Sequence, residues 1–231
     1  MYKASFKPVL AVLAGAVLLP LSAVAGVTVD DGIDAPNSDY SSVNKSVSIG
    51  SNARVGDVDT VNGGIRIGEG TMAGRVESVN GGIKISDQAQ VEAVEAVNGG
   101  ISLGEGVIVL KSIETVNGTI RVPDGGQVGG NVSSVNGTID LQGTLVEGDI
   151  ITYNGAIELQ GAEIMGDLFV KKPKGWGFGN KKATRVTIGP GTIVHGDLHF
   201  DKAVKLTLDK SAQVGEIHGD KVEMKESRRM R

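Results

Sequence analysis

The chain has 231 residues, 40% of them hydrophobic but only 3% aromatic, with 35 glycines, no cysteine and a formal charge of −4. So few aromatic rings exclude a core of large flat side chains and leave stability to stacked Val, Ile and Leu. The missing cysteines exclude disulfides, a lipid-modified N-terminus and thiolate metal sites.

Charge is divided along the chain. Residues 26–170 carry 7 Lys and Arg against 20 Asp and Glu, a balance of −13, and residues 171–231 carry 14 against 7, a balance of +7. Lys3 and Lys7 supply the remaining +2. An acidic body with a basic end can meet an anionic surface at that end, or the body of another copy. No nucleic-acid partner is expected.

The N-terminus, "MYKASFK" followed by the uncharged "PVLAVLAGAVLLPLS" and then "AVAG", reads as an export signal, the alternative being a retained membrane anchor, since the apolar stretch is nearly long enough to span. Small residues at Ala23 and Ala25 fit the signal-peptidase pattern, which places cleavage after Ala25 and the mature protein in the periplasm or on the surface of a bacterium. Residues 26–40 are expected to form a lead-in or cap.

A repeat governs the body of the chain. "VNGGIRIG" at Val61 returns as "VNGGIKIS" at Val79, "VNGGISLG" at Val97, "VNGTIRVP" at Val116, "VNGTIDLQ" at Val135 and "YNGAIELQ" at Tyr153. With the weaker copy "SVNKSVSIG", the asparagines are Asn44, Asn62, Asn80, Asn98, Asn117, Asn136 and Asn154, spaced by 18, 18, 18, 19, 19 and 18. Four residues before each of the later six stands Val58, Val76, Val94, Ile113, Val132 or Ile150. Three after stands Ile65, Ile83, Ile101, Ile120, Ile139 or Ile157, and five after stands Ile67, Ile85, Leu103, Val122, Leu141 or Leu159. The residue between the last two columns is polar each time: Arg66, Lys84, Ser102, Arg121, Asp140, Glu158. Apolar–polar–apolar triplets are short strands with one face buried.

Strands of this length between Gly-rich corners, at about 18 residues per unit, predict an all-β fold. It is a single-stranded β-helix, or β-solenoid, whose three-sided coils stack about 4.8 Å apart. The apolar columns keep no strict six-residue beat, which favours a right-handed helix over the left-handed hexapeptide type. About nine coils and a length of roughly 40 Å are expected. Asn and Gly both tolerate left-handed backbone angles, so the pair suits a tight corner. Stacked at one corner, the Asn amides are expected to hydrogen-bond as a ladder.

Later coils share a second phrase: "VEGDI" at Val146, "IMGDL" at Ile164, "VHGDL" at Val194 and "VGEI" at Val214. These phrases resemble the repeats of the bactofilins, polymer-forming right-handed β-helix proteins of bacteria. The "VNGxIxI" coils resemble bacterial adhesin-like β-solenoid domains. Together the two resemblances span most of residues 40–220. They imply a solenoid and a role in polymerisation or scaffolding rather than an activity. Bactofilins are cytoplasmic, whereas this chain opens on an export signal.

The next Asn copy would fall near Lys172, where the sequence instead reads "KKPKGWGFGNKKA". This insertion, residues 171–183, is expected to protrude as a loop. Its Lys171, Lys172, Lys174, Trp176, Phe178, Lys181 and Lys182 are candidates to contact an anionic membrane or to stack on peptidoglycan or another polysaccharide. Packing on a neighbouring subunit and folding back on the solenoid are the other readings of these residues.

His195 and His199 sit four apart, a spacing that on a strand separates them by roughly 13 Å and does not make one metal site. No nucleophile elbow, zinc helix, phosphate loop or calcium nonapeptide is present, and the outward column from Arg66 to Glu158 mixes charges rather than clustering acids. The sequence therefore predicts no enzyme, cofactor or metal. Residues 219–231 are expected to form a charged tail. The functional expectation is an exported structural or scaffold protein of the cell envelope that self-associates through its coil ends. The alternative is an adhesin-like module binding envelope glycan or anionic membrane through residues 171–183.

Overall fold

The computed structural model describes residues 26–172 and 182–226. Among the described residues all regular structure is strand, and every strand pairing is parallel and in register with the coil before and after it. The chain is a β-solenoid with three faces. The first face holds eleven rungs, running from Val27–Val29 through Val47–Ile49 and Ile65–Ile67 to Val204–Leu208 and Val222–Glu226. The second is made of two-residue strands such as Arg54–Val55, Ile108–Val109 and Glu163–Ile164. The third carries three-residue strands such as Val58–Thr60, Ile113–Thr115 and Leu198–Phe200.

The alternation read from sequence sets what is buried. Ile65, Ile83, Ile101, Ile120, Ile139 and Ile157 pair in one column, and all are buried. Val58, Val76, Val94, Ile113, Val132 and Ile150 form a second buried column on the third face. Each such side chain contributes about 1.5–3 kcal/mol on leaving water. No single coil encloses these side chains, so the stabilisation exists only between neighbours.

Among the described residues the solenoid has eleven rungs on its first face, where nine coils are expected. Val27–Val29 pairs with Val47–Ile49, and Asp34–Ala35 pairs with Arg54–Val55, so the segment expected as a lead-in already carries a coil. Val222–Glu226 pairs with Val204–Leu208 and adds a rung within the segment expected as a tail. Ten spacings of about 4.8 Å give a length near 48 Å.

Each of the three corners has its own chemistry. Between the first and second faces the chain turns through a left-handed residue in coil after coil: Gly32, Asn52, Gly70, Gln88, Gly106, Gly125, Gly143, Gly161 and Gly191 all have positive φ. The Asn-Gly corner, between the third and first faces, is expected from its residues to need such angles and does not. Its glycines are required by close approach instead. A Cβ on Gly81 would fall inside the carbonyl of Gly63, and one on Gly99, Gly118, Gly137 or Gly155 inside the carbonyl of the glycine one coil below. Above this backbone stack the Asn amides run in series. Nδ2 of Asn62, Asn80, Asn98, Asn117, Asn136 and Asn154 each donates to Oδ1 of the preceding asparagine, beginning with Asn44, at 2.8–3.0 Å.

The Gly-Asp phrase occupies the corner between the second and third faces and is a second ladder. The backbone N–H of Asp167 donates to Oδ1 of Asp149, that of Asp197 to Asp167, and that of Glu216 to Asp197, each at 2.9 Å. The preceding glycine leaves room for that side chain, since a Cβ on Gly166 would meet Asp149 Oδ1 and one on Gly196 would meet Asp167 Oδ1. The hydrogen bond from Glu216 holds the Asp197 carboxyl below its usual range. In the middle coils Met72–Ser78 and Gln90–Ala96 run straight through this corner, and Ala93 stands opposite Arg75.

Candidate functional site

Both repeated motifs are consumed by the scaffold, so chemistry has to be sought where side chains leave it. The insertion replaces the eighth Asn corner, between Leu168–Val170 and Thr184–Ile188. Lys174, Trp176, Phe178 and Lys181 lie outside the described residues. Of the described members, the Lys171 ammonium lies 4.6 Å above the Phe169 ring. Lys172 and Lys182 line a groove with His199, His218, Lys202 and Lys221. Lys202 takes the ladder position one coil beyond the insertion. It reaches back to the Tyr153 carbonyl and to Asn154 Oδ1, the latter at 3.3 Å, and so closes the Asn ladder. Burial lowers its pKa.

The histidines are drawn into contacts that sequence spacing does not suggest. His195 Nε2 lies 2.9 Å from Glu163 Oε1. On the third face, Phe169, His199 and His218 stand in register, their ring centroids 4.9 Å apart and their planes inclined by 13°. Among the described residues, no group of three or more His, Cys, Asp or Glu is placed to hold a metal ion.

Earlier in the same outward column of the third face, beyond Ser41, stand acids. Asp59, Glu77, Glu95 and Glu114 occupy four successive rungs, followed by Ser133 and Ile151. Burial and the neighbouring Asp57 push Asp59 up to about 6. Burial and the Glu95 charge push Glu77 up to about 7, and the same two causes raise Glu114. Arg75 moderates the first two, donating from Nη2 to Asp57 Oδ2 at 2.8 Å. Sequence reasoning misses this column, although it is visible as "DTVN", "ESVN", "EAVN" and "ETVN". The repeat marks an outward position only in the strand after each Asn, not in the strand before it. Asp59 and Glu77 take up protons near neutrality.

The column from Arg66 to Glu158 is the outward face of the first sheet, as expected. Beside its cationic part runs a groove of about 460 Å³, lined by Gly64, Arg66, Gly82, Lys84, Gly100 and Arg121 among others. Arg121 Nε pairs with Asp140 Oδ2 at 3.0 Å. In comparisons with known proteins the chain matches no family model, no curated protein and no solved structure.

Proposed function

We propose that the chain is a non-enzymatic structural protein of the bacterial cell envelope, exported through its N-terminal segment and self-assembling through the ends of its solenoid. One observation carries this reading: among the described residues, the core columns are open at both ends. Ile33 continues a column of buried Ala53, Thr71, Ala89 and Val107, yet is 39% exposed. Met224 stands opposite buried Leu206, yet is 55% exposed. Among the described residues the first rung pairs on one side only, through Val27–Val29 to Val47–Ile49. An open edge with unsatisfied backbone groups and an uncovered apolar core is a template for another copy. The bactofilin-like Gly-Asp phrases support the same reading.

Placing charge in the open columns tests it. Sedimentation velocity and electron microscopy of the protein should show concentration-dependent filaments. Ile33→Lys with Met224→Lys should abolish them while the circular dichroism of the β-structure persists. Wild-type protein that stays monomeric at every concentration overturns the proposal.

A second reading is attachment to envelope glycan or anionic lipid through residues 171–183. The convergence of Lys172, Lys182 and Lys221 on one groove favours it.

A further inference from the structure

The cationic part of the first face is not explained by folding. Arg66 stands directly opposite Lys84, and like charges opposed across a sheet are destabilising. Among the described residues neither side chain has an ion pair or hydrogen bond. The fold does not demand cations in this column, because later coils carry Asp140, Glu158 and Thr187 there.

The groove beside them is also optional to the fold. Its floor is Gly64, Gly82 and Gly100, where the following coils carry Thr119, Thr138 and Ala156. A Cβ at these three glycines would lie 3.2–3.4 Å from the nearest carbonyl, which a few tenths of an ångström of give would absorb. This contrasts with Gly63, Gly81 and Gly99, whose Cβ would overlap backbone. Three side chains are thus missing where the scaffold could hold them. Their absence opens a trench of about 460 Å³ along four coils.

We propose that this trench binds a linear acidic polysaccharide, advancing about one sugar per coil. Arg66 and Lys84 would hold its anionic groups, Arg121 would assist through the guanidinium nitrogens not engaged with Asp140, and the Ser102 hydroxyl would bond a sugar hydroxyl between them. The site offers a charge or hydroxyl on each rung, at a period of about 4.8 Å, which suits a periodic polymer. Its trough has no aromatic side chain on which a nucleobase could stack. It lies on a sheet face rather than an edge, so it cannot add a peptide strand. The acidic body around it, −13 over residues 26–170, disfavours polyanions on the rest of that body and leaves this line as its cationic strip.

The inference does not rest on self-assembly and is tested on the Ile33→Lys, Met224→Lys protein alongside the wild type. Affinity electrophoresis through polygalacturonate (carboxylated), dextran sulfate (sulfated) and neutral dextran reads binding directly. Retardation by either acidic glycan and not by dextran is expected. Arg66→Ala with Lys84→Ala should weaken it at least about tenfold, the worth of one charge-assisted contact. Gly82→Thr should fill the trench and weaken binding to a similar degree with no change of charge, while its melting curve stays that of a folded solenoid. Retardation no greater than in dextran, or unchanged in both variants, overturns the proposal. So does equal or tighter binding of poly-L-glutamate, single-stranded DNA or anionic phospholipid vesicles, since the ligand would then not be a glycan.

Discussion

Two adjacent glycines in the same motif answer to different constraints. Gly99 lies against the backbone of Gly81 and has no room for a methyl group, whereas Gly100 faces the trench and stands in register with Thr119. Gly99→Ala should therefore destabilise the protein by about 2–3 kcal/mol through overpacking, and Gly100→Thr by less than about 1 kcal/mol. Urea denaturation of the two variants checks the contrast, and equal losses would mean that both glycines serve the corner. The distinction is invisible in "VNGG". The Asn-Gly pair reads as a left-handed turn because both residues tolerate one. Which corner is left-handed depends on where the coil must reverse, and that is the neighbouring corner from Gly32 to Gly191.

At the scale of a strand, the acidic column couples stability to pH. Asp59, Glu77 and Glu114 hold their protons more tightly folded than unfolded, so between their ordinary values and about pH 7 the native state binds more protons. Their contribution is greatest below the ordinary carboxylate range and is lost as pH rises through about 6 for Asp59 and about 7 for Glu77. Screening by water at these half-buried groups holds the combined effect to about 2 kcal/mol. Melting temperature should therefore be higher at pH 5 than at pH 8, and Glu77→Gln should remove most of the difference. A flat profile in the wild type would show that neither burial nor the neighbouring charges raise these carboxylates. Each acid is legible three residues before its asparagine. That they form a neighbouring, outward stack is not, because it requires knowing which strand forms the third face and that its rungs align without slip.

For the whole molecule, stacking makes stability additive over coils and leaves the fold independent of their number. Removing residues 83–100, one 18-residue unit, rejoins Gly82 to Ile101 with every column in register. The shortened chain should fold with unchanged β-structure and lose about 1–3 kcal/mol, at roughly 0.05–0.15 kcal/mol per residue. Removing half as many residues should abolish cooperative unfolding, because it exchanges faces and turns buried columns outward. Survival of the half-coil deletion would contradict the in-register stacking of the coils.

Sequence alone suffices for the solenoid, its period and its buried columns, because an 18-residue repeat of apolar alternation has few other ways to bury its side chains. It also locates the Asn corner and the break at residue 171, since one is a constancy and the other a departure within a linear pattern. It undercounts the coils. The end rungs lack the Asn motif and are recognised only by their pairing, Val27 with Val47 and Val222 with Val204. Which glycines are obligatory, which face gathers the carboxylates, and that Lys202 bridges the break to close the ladder on Asn154 emerge only once the coils are stacked. These are relations between coils, set by stacking at about 4.8 Å, and they join residues that lie 18 to 49 positions apart in the chain.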